Sequence, residues 1–89
     1  MLSVRTTTQF RKDVKRIKKQ GKDFRILESV MNFIAQKIPL PPKLSNHVLR
    51  GNYKGHRECH LAPDWLLIYR ATEEEAIFER TASHSELFK

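Results

Sequence analysis

Residues 56–81, HRECHLAPDWLLIYRATEEEAIFERT, decide the fold. They carry a series of strand signals divided by short turns, and nowhere the spacing of an amphipathic helix. His56 to Leu61 reads as one strand. Ala62-Pro63-Asp64 places Pro and Asp where a tight turn wants them. Trp65 to Tyr69 (WLLIY) is apolar on both faces, as a central strand is. Ala71 to Glu75 is a charged turn, and Ala76 to Thr81 is a final strand. With no helix to cross over between them, these strands cannot build a doubly wound parallel sheet. They pair antiparallel.

Upstream, Leu2-Ser3-Val4-Arg5-Thr6 alternates apolar and polar, and reads as a short strand. The threonines at 6–8 offer an N-cap. From Gln9 to Gln20, Phe10, Val14 and Ile17 recur at helical spacing, and Arg11, Lys12, Lys15, Arg16, Lys18 and Lys19 occupy the other face. Gly21 suits the position just past a helix C-terminus. Asp23 can cap a second helix, lined by Phe24, Leu27, Val30, Met31 and Ile34 and extended to Ile38 before Pro39 stops it. Pro39-Leu40-Pro41-Pro42-Lys43 is a stiff, extended connector. His47 to Arg50 is a short strand closed by Gly51-Asn52. The tail ends in Leu87 and Phe88, which are expected to dock. The order β-α-α-β-β-β-β predicts a single α+β domain over residues 1–89. Two antiparallel helices cover one face of a twisted, mainly antiparallel sheet of about four to five strands, and the other face is free.

Composition is that of a globular protein, at 39% hydrophobic and 30% charged residues. No apolar stretch approaches the roughly 20 residues that span a membrane, and the start has no secretory signal. A single cysteine cannot form an internal disulfide, which fits a reducing compartment, so the expected location is cytoplasmic and not membrane-bound. The charge is one-sided. Residues 1–25 hold nine Lys/Arg and two Asp, the whole of the chain's net +7, while the remainder balances. Such a basic face either keeps the protein soluble or meets a polyanion or an acidic protein.

Four histidines, His47, His56, His60 and His84, lie near a carboxylate and several cations. On a strand His56 and His60 stand roughly 13 Å apart, too far to share a zinc ion at about 2 Å from each. Cys59 reads as a small buried side chain. No nucleophile elbow surrounds Ser83 or Ser85, and no glycine-rich loop cradles a phosphate. Acid–base chemistry on a phosphodiester is left. RNA carries its own nucleophile, the 2′-hydroxyl, and needs a base, an acid for the departing 5′-oxygen, and cations for the phosphate. Histidines, Asp64, Lys54, Arg57 and Arg80 include those roles, and Trp65 and Phe88 offer stacking surfaces for an unpaired base. Surface histidines and a core tryptophan are the plainer alternative.

The ordered set His47-x-Leu49-x-Gly51, Tyr53-Lys54-Gly55-x-Arg57-x-x-His60-x-x-Pro63-Asp64-Trp65-x-Leu67-Ile68-Tyr69 and Arg80-Thr81-x-Ser83-His84-Ser85-x-Leu87-Phe88 resembles the YafQ family. These are ribosome-dependent mRNA interferase toxins of type II toxin–antitoxin systems, within the RelE/ParE superfamily. The resemblance runs over essentially the whole chain. It implies a RelE-like fold and mRNA cleavage in the ribosomal A site, with no metal and no cofactor. It matches His47, His60, Asp64 and His84 to the catalytic group, and Trp65 and Phe88 to substrate-positioning aromatics. His84 and His60 are the expected proton-transfer pair, with Asp64 close to the chemistry and His47 orienting the substrate or supplying a second acid–base group. Ala82 stands where many relatives have Gly. His56 matches no family role and is expected to be exposed.

The implied partners are the ribosome and mRNA, and a cognate antitoxin with an acidic C-terminal segment and a DNA-binding part. The basic helix face is expected to contact ribosomal RNA, the antitoxin or both. Two rivals are a ParE-like toxin that inhibits DNA gyrase, disfavoured by the histidine set, and a non-catalytic RNA- or protein-binding module. The neighbouring reading frame is predicted to encode a short protein with an acidic C-terminal half; reading the adjoining DNA checks this.

Overall fold

The computed structural model describes residues 1–49 and 55–88. In chain order the elements are β1 (Ser3–Thr6), α1 (Thr8–Lys19), α2 (Phe24–Ala35), a 3₁₀ turn (Pro42–Leu44), β2 (His47–Val48), β3 (Arg57–Ala62), β4 (Trp65–Ala71), β5 (Glu75–Ala82) and α3 (His84–Leu87). The strands form one five-stranded sheet in the order β1-β5-β4-β3-β2. Every pairing is antiparallel except β1 with β5, which is parallel. The α+β class, the helical pair and the mainly antiparallel sheet are as the sequence predicts. The continuation of the 47–50 strand and its Gly51-Asn52 turn fall on residues 50–54, outside the described residues.

Local chemistry explains the helix ends. The Thr7 hydroxyl accepts from the Phe10 amide, and the Asp23 carboxylate accepts from the Arg25 amide, as N-caps do. Both helices close in the same way. Lys22 N–H bonds Ile17 O and Gly21 N–H bonds Lys18 O; Ile38 N–H bonds Phe33 O and Lys37 N–H bonds Ile34 O. The residue after the cap takes a positive φ each time, 81° at Gly21 and 61° at Lys37. At Lys37 this ends α2 at Ala35, short of the expected Ile38, which is exposed. The connector is not wholly extended either, because Pro42–Leu44 wind into a 3₁₀ turn with Leu44 buried.

Phe10 and Ile17 of α1 and Leu27, Val30 and Ile34 of α2 pack on Cys59, Leu61, Trp65, Leu67, Tyr69 and Phe78 of the sheet. On β3 and β4 these are the odd-numbered residues, as period-two alternation demands. Leu66 and Ile68 point the other way and are nevertheless fully buried, so the second face has an apolar floor and is not simply free.

One charged group sits inside this layer. Asp13 of α1 is fully buried. Its carboxylate accepts from Arg80 Nε at 2.7 Å, Arg80 Nη2 at 3.3 Å, the Thr81 amide at 3.1 Å and Gln9 Nε2 at 3.2 Å. Arg16 Nη1 lies 3.0 Å away. Burial disfavours the charge, but the Arg80, Thr81 and Gln9 hydrogen bonds and the Arg80 charge outweigh it and hold the carboxyl below its ordinary value. A depressed pKa stabilises the fold above the unfolded value of about 3.9, and that contribution is lost as pH falls through the lower folded value. Asp13→Asn is therefore expected to cost about 2–3 kcal/mol at neutral pH, with the gap to the native protein closing as pH falls below the unfolded value. Urea unfolding across pH checks both.

Candidate active site

Three imidazoles form a row on the sheet face away from α1 and α2. His47 of β2 is paired in register with Glu58 of β3, and His60 lies two residues further along the same face of β3. His84 opens α3, directly after β5. The His47 and His60 ring centroids are 6.2 Å apart, and those of His60 and His84 are 5.7 Å apart. The Phe88 ring extends the row, 6.5 Å from His84. It is half-exposed, where docking was expected.

Asp64, in the β3–β4 turn, anchors the row at His84. Its Oδ1 accepts the His84 backbone N–H at 3.0 Å and lies 2.9 Å from His84 Nδ1. Those two hydrogen bonds, the backbone one foremost, hold the Asp64 carboxyl below its ordinary value. An ionised acceptor at Nδ1 places the proton there and leaves Nε2 as the nitrogen that exchanges protons with a substrate. The same oxygen thus caps α3 and selects the His84 tautomer.

The seat of α3 is built from both ends of the chain. Ser83 and Glu86 form a reciprocal capping box, the Ser83 amide donating to Glu86 Oε1 at 2.9 Å. Glu86 Oε2 in turn lies 3.0 Å from Arg16 Nε, and Arg16 also reaches Asp13 and the Thr81 carbonyl. The Ser83 amide chiefly, with the Ser83 hydroxyl, Arg16 and Gln20 and against burial, keeps the Glu86 carboxyl below its ordinary value. Arg16, expected as a cation of the basic face, is thus a tether between α1 and the helix that carries His84. The sequence pattern predicts only a docked tail where α3 stands.

Glu58 was missed. It is buried in the row, with Oε1 3.3 Å from His47 Nε2 and 3.4 Å from His60 Nε2. His47 Nδ1 faces the Ser45 carbonyl at 2.9 Å. Only strand register brings Glu58 opposite His47, and a single sequence does not reveal register.

Other expected site residues lie elsewhere. Trp65 is buried in the core, its indole N–H donating to Thr81 Oγ1 at 2.8 Å, so it offers no stacking face. Arg57 projects from the helix-covered side of β3, donates to Asn46 Oδ1 at 2.9 Å and lines a separate cleft of about 540 Å³ with Tyr69 and Ile34. It cannot serve a phosphate at the histidine row. Arg80 is engaged by Asp13. His56, expected to be exposed, is largely covered and lies 3.3 Å from Glu79. Lys54 lies outside the described residues. Cys59 is buried as expected; burial, and secondarily the Glu58 charge, push its thiol up to about 12, so it stays protonated. Among the described residues no three His, Cys, Asp or Glu side chains are placed to share a metal ion.

Of the basic face, Arg11 bonds Thr6 and Thr8, and Lys18 lies over the Phe24 ring at 4.2 Å. Lys12, Lys15 and Lys19 are exposed and form no ion pair among the described residues.

Residues 2–89 match the family model of bacterial toxins of type II toxin–antitoxin systems. Within that class, the chain belongs to the YafQ family. It is 42% identical over 81 residues to the mRNA interferase toxin YafQ of Escherichia coli, across 90% of this chain and 88% of that one. It superposes with a TM-score of 0.91 on a chain of the E. coli DinJ–YafQ toxin–antitoxin complex, at 38% identity over 99% of this chain and 98% of that one. A metal-bound toxin from Helicobacter pylori superposes with a TM-score of 0.92 at 43% identity, over 99% of this chain and 100% of that one.

Two outcomes follow from the packing. Trp65→Phe forfeits the Thr81 hydrogen bond and is expected to lower stability by about 1–2 kcal/mol, measured by urea unfolding. Glu86→Ala removes half of the capping box and the Arg16 tether, so amide exchange at residues 84–88 is expected to quicken by about tenfold while β4 is unchanged. That loss corresponds to the roughly 1 kcal/mol typical of a cap.

Proposed function

We propose that this chain is an endoribonuclease, the mRNA interferase toxin of a type II toxin–antitoxin pair, acting as a single domain. It cuts mRNA in the ribosomal A site, using the RNA 2′-hydroxyl as nucleophile and side chains rather than a metal for proton transfer, and so stops translation. The observation that carries this reading is the His47–His60–His84 row with Asp64 locking Nδ1 of His84. The E. coli relative is named an mRNA interferase, which supports the substrate class.

The chemistry asks for one group to take the 2′-hydroxyl proton and another to protonate the 5′-oxygen that leaves. His60 and His84 are that pair: their centroids are 5.7 Å apart, and half-exposed His84 meets Asp64 through Nδ1, which leaves Nε2 for the substrate. Base and acid catalysis contribute typically ~10²–10⁴-fold each. His47, half-exposed at the other end of the row, orients the phosphate or provides a second acid–base group. Phe88 is placed to stack on a base unpaired at the scissile step. Lys54, outside the described residues, is proposed for phosphate contact on its chemistry alone. Free lysines of α1 engage ribosomal RNA, an acidic antitoxin segment, or each in turn. The solved E. coli relative is bound to DinJ, and a partner of that kind, also carrying a DNA-binding part, is proposed here. Ribosomes place this activity in the cytoplasm, and no helix among the described residues is long and apolar enough to cross a membrane.

Primer extension on translating ribosomes tests the proposal. Native protein is expected to produce cleavage that needs ribosomes and persists in a chelator that leaves the ribosomes intact, by exchange of all metals but magnesium. His84→Ala and His60→Ala, folded by circular dichroism, are expected to lose at least ~10²-fold. No cleavage by the native protein overturns the function; equal cleavage by the variants overturns the site.

A further inference from the structure

We infer that Glu58 is a positioning residue of this site: its buried carboxylate is the shared acceptor that fixes the ring orientation and tautomer of His47 and His60. The inference rests on the proposed cleavage for its functional consequence, but its geometry stands apart from it. Glu58 is 5% exposed, a burial that carboxylates rarely reach without partners. Its β3 neighbour on the core side, Cys59, keeps its proton, and among the described residues the groups in ion-pair range of Oε1 are the two Nε2 atoms, at 3.3 and 3.4 Å. His60 Nε2 is itself shut off from solvent, and among the described residues it has no hydrogen bond of good geometry, leaving Glu58 as the acceptor it faces.

A carboxylate oxygen only accepts, so it favours the tautomer in which the imidazole nitrogen facing it carries the proton. For His60 this places hydrogen on Nε2 and leaves Nδ1 as the basic nitrogen, the reverse of His84, whose Nδ1 is turned to Asp64. Two carboxylates thereby give adjacent imidazoles opposite tautomers, which suits a pair that must take one proton and deliver another. His47 differs again. Its Nδ1 faces the Ser45 carbonyl and its Nε2 faces Glu58, so both nitrogens meet acceptors and the ring is oriented from both ends.

Glu58→Gln, which keeps the shape, and Glu58→Leu, which removes the acceptor, test this. The readout is the long-range ¹H–¹⁵N spectrum of the histidine rings in the free protein. Native His60 is expected to show hydrogen on Nε2 and a bare Nδ1, and His84 the opposite. In Glu58→Leu the His60 and His47 ring signals shift toward mixed tautomers, Glu58→Gln lies between, and His84 is unmoved. In ribosome cleavage kcat falls at least tenfold in Glu58→Leu, with KM within a factor of two. Unchanged ring signals of His47 and His60 in both variants, or a His60 that carries its proton on Nδ1 in the native protein, overturn the inference. Should the native protein fail to cleave, the ring spectra still decide the role of Glu58, and the failure falls on the proposed function alone.

Discussion

A buried carboxylate, Asp13, ties the molecule together. It binds the Arg80 guanidinium and the Thr81 amide of β5, and lies against Arg16 one turn further along α1. Thr81 passes the connection on, taking the Trp65 indole N–H and donating to the Leu66 carbonyl of β4. Arg16 passes it the other way, to Glu86 and the capping box of α3. An unpaired carboxylate here would cost several kcal/mol, so helix α1 is held to one position on the sheet by the need to satisfy it. Apolar packing makes α1 bind the sheet. Asp13 determines where.

That constraint reaches the chemistry through α3. A four-residue helix has little stability of its own, because its nucleus is costly and its packing area small. It is held by Asp64 at its first amide, by the Ser83–Glu86 box, and by Arg16 from beneath. Each of these is polar and directional, so His84 is presented at a defined distance from His60 instead of sweeping the surface with the tail. The site is therefore a joint product of residues separated by most of the chain, from Arg16 to Phe88.

The fold was legible wherever a local signal carried it. Gly21, Asp23, the Pro63-Asp64 turn and the apolar run at 65–69 each mark their element, and the absence of helical spacing between the late strands dictates an antiparallel sheet. That His47, His60, Asp64 and His84 come together was legible only through an ordered resemblance; spacing alone left surface histidines open. What stayed hidden was long-range. Trp65 and Arg57 fit a stacking and a phosphate role by type, but alternation with Leu67 and Tyr69, and with Cys59, turns both to the helix-covered face. Arg16 fits a basic face by sequence, while partners far along the chain claim it. Glu58 becomes visible only with the register of β2 on β3. For α3, four residues are too few for periodicity, although Ser83-x-x-Glu86 is a capping signature in plain view.

The central claim is that this histidine row, steered by two carboxylates of opposite setting, cleaves RNA through its own 2′-hydroxyl. The chemical ends of the fragments report that most directly. Mass spectrometry of an mRNA cut on the ribosome is predicted to find a 2′,3′-cyclic phosphate, or the 3′-phosphate it hydrolyses to, upstream and a 5′-hydroxyl downstream. A 2′-deoxy substitution at the scissile nucleotide is predicted to abolish the cut. A 3′-hydroxyl with a 5′-phosphate, or undiminished cleavage at the deoxy position, would mean that water attacks instead, and the account would be contradicted.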